Sequence, residues 1–147
     1  MKVLIIIGSK SDLEFAEKCE KQLKELGIES VIEISSAHRH PEKTRQLTAE
    51  AEKNGFEVII AMAGLAAALP GVAAAHSNLP VIGVPLPAAL NGLDSLLSIA
   101  QMPPGIPVAT VAIGAAGAKN AAVLAARILA LKHETVKTAL QKHRQSL

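Results

Sequence analysis

The chain has 147 residues, a net charge of +2 and a half-hydrophobic composition with two Phe and neither Trp nor Tyr. Such a length suits one domain, residues 1–147, whose core must be aliphatic and rich in alanine. The small net charge and the lack of aromatics for bases to stack on argue against a nucleic-acid partner, and the single cysteine, Cys19, allows neither an internal disulfide nor a cysteine-based metal site.

Lys2 to Ile7 is an apolar run of the kind found in strands buried on both faces. It is too short for a signal peptide's apolar core, so a cytoplasmic protein is expected. Gly8-Ser9-Lys10-Ser11-Asp12 follows, and then Leu13, Ala16, Cys19, Leu23 and Leu26 recur at helical spacing. Ser11 and Glu14 form a capping-box pattern at the start of that helix, and Gly27 ends it. Ile28 to Ile34 is the second strand. Pro41 to Asn54 reads as the second helix, Val58 to Ala63 as the third strand, and Ala66 to Ser77 as a small-residue helix that Pro70 kinks or starts late. Val81 to Pro85 is the fourth strand, Pro85 to Gly92 a loop, Asp94 to Ile99 a short helix and Pro107 to Ile113 the fifth strand. Ala116 to Lys132 is a helix apolar almost all round, and Glu134 to Gln145 a final charged one.

Strands alternating with helices indicate an α/β protein: a three-layer, flavodoxin-like parallel sheet with helices on both faces and an extra C-terminal helix. In such a sheet the ligand crevice opens where the strand order reverses, between strands one and three.

From Val58 to Ala118 the only formally charged side chain is Asp94. A membrane span from Val58 to Ala75 is argued against by Gly64, Pro70 and Gly71 and by the dominance of alanine. A small monomer could not hide so long an uncharged region, so a homo-oligomer with an apolar interface is expected. Residues 119 to 147 carry six basic side chains and one acidic one, spread at helical intervals as on a solvated helix face.

Chemistry concentrates in the turns. Ser35-Ser36-Ala37-His38-Arg39-His40-Pro41 joins the second strand to the second helix, which Pro41 suits as a first residue. His38 is of the type that exchanges protons near neutral pH, and Arg39 is a fixed cation suited to phosphate. The turn after the first strand opens a helix whose N–H groups attract an anion, an effect of ~0.3–1 kcal/mol. Ser9 and Ser11 can add hydroxyl donors, and Asp12 can accept from sugar hydroxyls. The third turn, Ala63 to Gly71, offers backbone amides and apolar walls. Together the three describe a monophosphate site facing a flat neutral ring. His38 and His40 have no evident third ligand, so no metal is expected.

Several blocks resemble the aminoimidazole ribonucleotide carboxylase family of purine biosynthesis (PurE). They are Gly8-Ser9-x-Ser11-Asp12, Ser36-Ala37-His38-Arg39-x-Pro41, Ala63-Gly64-x-Ala66-Ala67-x-Leu69-Pro70-Gly71 and Pro80 to Pro85. Gly92-Leu93-Asp94-Ser95 and Gln101-Met102-Pro103 are similar to the mutase branch. The resemblance covers almost the whole chain. It implies conversion of N5-carboxyaminoimidazole ribonucleotide to 4-carboxyaminoimidazole ribonucleotide, with no cofactor, no metal and no ATP. It implies that His38 is the acid and base, and that Ser9, Asp12 and Arg39, supported by Ser11 and Ser36, hold the ligand. Gly64, Ala66, Leu69 and Pro70 would wall a small dry chamber for trapped carbon dioxide. Octamers with sites shared between subunits are also implied. Two positions depart from the pattern: Ala68 stands where many mutases have histidine, and His40 where threonine is common. Direct carboxylation with carbon dioxide and a non-catalytic ribonucleotide-binding relative remain as alternatives.

Overall fold

The computed structural model describes residues 1–147. Five strands, β1 (Lys2–Ile7), β2 (Glu29–Ile34), β3 (Val58–Ala63), β4 (Val81–Pro85) and β5 (Ala109–Thr110), form one parallel sheet in the order β2-β1-β3-β4-β5. This is the flavodoxin-like order, with its reversal between β1 and β3. Six α-helices cover the sheet: α1 (Leu13–Glu25), α2 (Pro41–Ala49), α3 (Leu69–His76), α4 (Leu93–Ala100), α5 (Gly114–Leu129) and α6 (Glu134–Gln145).

Alternation along β1 divides the core. Val3, Ile5 and Ile7 face α1, α5 and Val136 of α6, while Leu4 and Ile6 face α3 and α4. Every residue from Val3 to Ile7 is fully buried, which is why the run carries no polar alternation. Cys19 packs within this core, and burial pushes its thiol up to about 12. The small residues of α5 let it lie close to its surroundings. A Cβ on Gly117 would sit 1.6 Å from the Ala112 carbonyl oxygen, so only glycine fits there. The α5 helix buries one stripe (Ala118, Ala121, Ala122, Ala125, Ala126, Leu129) and leaves Lys119, Asn120 and Arg127 outside.

Three further boundaries differ from expectation. β5 shrinks to two residues, since Pro107 has no N–H to donate and the pairing with β4 covers Ile82 with Ala109 and Gly83 with Thr110. The second helix stops at Ala49 and gives way to single turns, ending at Gly55 with φ +81°. The third helix starts at Leu69 because Leu65 (φ +56°) and Ala67 (φ +26°) lie in the left-handed region, outside any α-helix. No helix is long and apolar enough to cross a membrane.

Register sets the ends of the inner strands level. Ile7 pairs with both Ile34 and Met62, and Met62 pairs with Val84. The four turns leaving β1, β2, β3 and β4 therefore emerge along one edge.

Candidate active site

At that edge the chain forms an open cavity of about 510 Å³. The first turn contributes Gly8, Ser9, Ser11 and Asp12, the second Ser36, Ala37, His38 and Arg39, and the third Ala63, Gly64, Leu65, Ala67, Ala68 and Leu69. Two larger grooves, of about 610 and 660 Å³, flank α6, but neither gathers side chains from several strand ends.

The first turn is held by its own polar groups. The Asp12 carboxylate accepts the Ser9 N–H at 3.1 Å, and the Ser9 and Ser11 hydroxyls are hydrogen-bonded to one another. The reciprocal cap expected between Ser11 and Glu14 is therefore made two residues earlier, by Ser9 and Asp12 around a short 3-10 turn, Lys10–Asp12. Glu14 instead lies 3.6 Å from Lys18.

The second turn is built on a buried pair. The Ser35 N–H extends the sheet by donating to the Ile7 carbonyl at 2.9 Å, and its hydroxyl meets that of Thr44 on α2 at 2.7 Å. These fixed points leave Ser36 to His38 projecting over the cavity. The Arg39 N–H donates to the Ser36 hydroxyl at 3.2 Å, and Arg39 Nη2 donates to the Gly8 carbonyl at 3.3 Å, bracing the first two turns together. His38 is exposed in the cavity lining, and its ring makes no hydrogen bond to the chain. His40 caps α2 on the outside and does not line the cavity.

The third turn carries the strain. Non-glycine residues in the left-handed region typically cost ~1–3 kcal/mol and persist where surroundings fix them. Here the Ser98 hydroxyl on α4 donates to the Ala66 carbonyl at 2.7 Å, and the Ala67 N–H donates to the Gly64 carbonyl at 3.1 Å. Two expected wall residues fall outside the lining. Ala66 turns away to meet Ser98, and Pro70 is buried behind the wall against Gly83, where an added Cβ would come within 3.2 Å of its ring.

A fourth wall comes from the segment after β4, which the sequence marks only as a loop. Leu86, Pro87 and Ala88, after β4, close the apolar end, and Ser95 Oγ lies 2.9 Å from both the Leu86 and Gly92 carbonyl oxygens. Its signal in the sequence is its place after a parallel strand, which puts it at the same edge as the other three turns. Glu14 and Phe15 complete the rim from α1. The cavity thus has a polar end with hydroxyls, a carboxylate and one guanidinium, an apolar end of alanine, leucine and proline, and a histidine facing it.

Fold and site together define a doubly wound α/β protein with a strand-end pocket that sets hydroxyls, a carboxylate and a guanidinium beside an apolar wall. A family model described as AIR carboxylase matches residues 2–147. The chain belongs to that family. It is 54% identical over 147 residues to an N5-carboxyaminoimidazole ribonucleotide mutase of Saccharolobus solfataricus, an alignment covering 99% of this chain and 92% of the relative. It is 52% identical over 141 residues to the protein of the same name from Pseudomonas aeruginosa, covering 95% and 86%. A crystal structure of Treponema denticola PurE superposes with a TM-score of 0.90 at 35% identity, covering 99% of this chain and 90% of that one.

Proposed function

We propose that this protein is a mutase of purine biosynthesis, converting N5-carboxyaminoimidazole ribonucleotide to 4-carboxyaminoimidazole ribonucleotide. The observation that carries this reading is the meeting of Ser9, Ser11, Asp12 and Arg39 with His38 in one cavity, beside an apolar wall. Relatives bearing the mutase name, at about half identity over nearly the whole chain, give the reaction.

The division of labour follows from the chemistry of each group. Arg39, with the hydroxyls of Ser9 and Ser11, binds the phosphate, and the brace to the Gly8 carbonyl holds the guanidinium in place before the ligand arrives. Asp12 accepts from ribose hydroxyls, and Ser36 orients the Arg39 backbone. His38 donates a proton to N5 as the N–C bond of the carbamate breaks. The carbon dioxide released stays against Gly64, Ala67, Leu69 and Leu86. C4 of the imidazole ring then attacks it, forming the C–C bond, and His38 recovers a proton from C4. One proton leaves and returns, and no oxidant or second substrate is consumed. A histidine suits both halves of that cycle.

The same proposal takes residues 1–147 as one domain of a cytoplasmic homo-octamer. Leu65, Leu90, Leu93 and Leu97 are 48–72% exposed, and Asp94 beside them keeps one carboxylate oxygen out of water with no hydrogen-bond partner. An apolar surface of this kind beside the cavity fits coverage by further copies.

The purified protein, given the N5-carbamate or, separately, aminoimidazole ribonucleotide with bicarbonate, is expected to use only the first. Use of the second alone would favour direct carboxylation, a reading that Ala68 in the cavity wall keeps worth testing. Tight binding of the ribonucleotide without turnover of either would make the protein a non-catalytic relative.

A further inference from the structure

Phe15 has no place in the chemistry described so far. It is one of two aromatic side chains in the protein, and it lines the cavity among walls otherwise built from alanine, glycine, leucine and proline. It lies one helical turn before Cys19, so its inner side packs on the core, yet the ring remains partly open to the cavity. Gly114, the first residue of α5, approaches the ring. A Cβ built there would sit 3.8 Å from Phe15 Cε1 and 3.7 Å from the Pro87 ring. On the solvent side, Lys18 Nζ stands 5.3 Å from the ring centroid, itself drawn to Glu14. The ring therefore stands between the core, the start of α5 and the cavity. It is also three residues after Asp12, at the entry to α1, and both residues line the cavity.

We propose that Phe15 is the sugar seat of the site, a specificity-determining residue whose ring backs the apolar face of a ribose while Asp12 accepts from its hydroxyls. This rests on the ribonucleotide reading above. Sugars present C–H groups on one side and hydroxyls at the edge, and an aromatic wall beside a carboxylate matches that pattern. By keeping water from the Asp12 contact, the ring also strengthens it. Its contribution is made equally before and during reaction, so it acts on KM and leaves kcat nearly unchanged.

The test compares the wild type with Phe15→Ala and Phe15→Leu by equilibrium binding of ribose 5-phosphate, inorganic phosphate and 4-carboxyaminoimidazole ribonucleotide, alongside steady-state turnover. Phe15→Ala is expected to weaken both sugar ligands roughly tenfold and raise KM to match, with kcat within about twofold and phosphate affinity unchanged. Phe15→Leu, which keeps an apolar side chain on the core and removes only the ring, is expected to weaken the sugar ligands by about threefold. Unchanged ribose 5-phosphate affinity in Phe15→Leu, or equal weakening of ribose 5-phosphate and inorganic phosphate in either variant, overturns the assignment. A wild type that lacks mutase activity but loses ribose 5-phosphate affinity on substitution would sink the proposed reaction and leave the sugar seat standing.

Discussion

The two edges of the sheet are built on opposite terms. At the carboxyl edge, Leu65, Ala67, Leu90 and Asn91 all take left-handed backbone conformations without being glycine, and His38 hangs without a partner. At the amino edge, polar groups are matched. Glu57, just before β3, accepts from His133 Nε2 at 2.8 Å, with Lys132 and the Met1 amine 3.6 and 3.5 Å away, and Lys2 Nζ stands 4.6 Å over the Phe56 ring. The hydrogen bond from His133 is the main cause holding the Glu57 carboxyl below its usual range. One edge carries strained backbone and unpartnered groups around a cavity, the other a clasp that fastens the α5–α6 corner to the sheet. The sheet between them separates the two, so a change at one edge is expected to move activity and a change at the other stability.

The largest effect sought is at the reactive edge. His38→Asn keeps a similar shape and removes the proton transfer proposed for His38. Turnover should fall by about 10²–10⁴-fold while ribonucleotide affinity stays close to wild type, as measured by steady-state rates and calorimetry. If turnover survives, the proton passes elsewhere. Next comes Arg39→Met, expected to raise KM roughly 10–100-fold with a smaller change in kcat, because the phosphate contact proposed for the guanidinium would be lost along with the brace on Gly8.

At the clasp, Glu57→Gln should leave kcat and KM unchanged and lower stability by about 1 kcal/mol, discounting the usual charge-assisted bond for partial exposure. For a chain of this length that is roughly 2–4 °C in Tm. The direction with pH follows from the lowered carboxyl. Its contribution is complete above the ordinary glutamate range and is lost as pH falls toward the lowered value, so wild type and variant should converge in acid. Parallel acid limbs in the two denaturation curves would remove Glu57 from this role. The smallest effect is at Leu65→Gly, which relieves a left-handed residue and is expected to add about 0.5–1 kcal/mol of stability while reducing turnover as the cavity wall loosens. Should it destabilise, the strain at φ +56° is not what that turn stores.

How much of this was legible in the sequence depended on whether a residue's neighbours in space are also its neighbours in chain. The runs Lys2–Ile7, Val58–Ala63 and Val81–Pro85 announce themselves because a strand buried on both faces needs no polar alternation. The first two turns were readable because hydroxyls, histidine and arginine are costly to spend on an ordinary connection. β5 was overdrawn, since Pro107 to Ile113 has strand composition but only Ala109 and Thr110 find β4 beside them. The observed α2 is also shorter than its composition suggests, because Glu50, Ala51 and Glu52 favour a helix yet form single turns that close at Gly55. The wall of Leu86, Pro87 and Ala88 carries no chemistry of its own, and Phe15 on a helix reads as core. Ala66 and Pro70 belonged to the right turn, but which side of a turn a residue presents depends on backbone angles at Leu65 and Ala67 that composition does not encode.

The absence of Trp and Tyr from a core of isoleucine, leucine and alanine has a practical consequence. Such a protein is nearly transparent in the near ultraviolet, with only Phe15 and Phe56 to absorb weakly. An imidazole nucleotide entering the cavity would therefore dominate the spectrum. Binding and turnover can be followed directly by the light the ligand absorbs, and a single Trp placed far from the cavity would give a folding signal against an empty background.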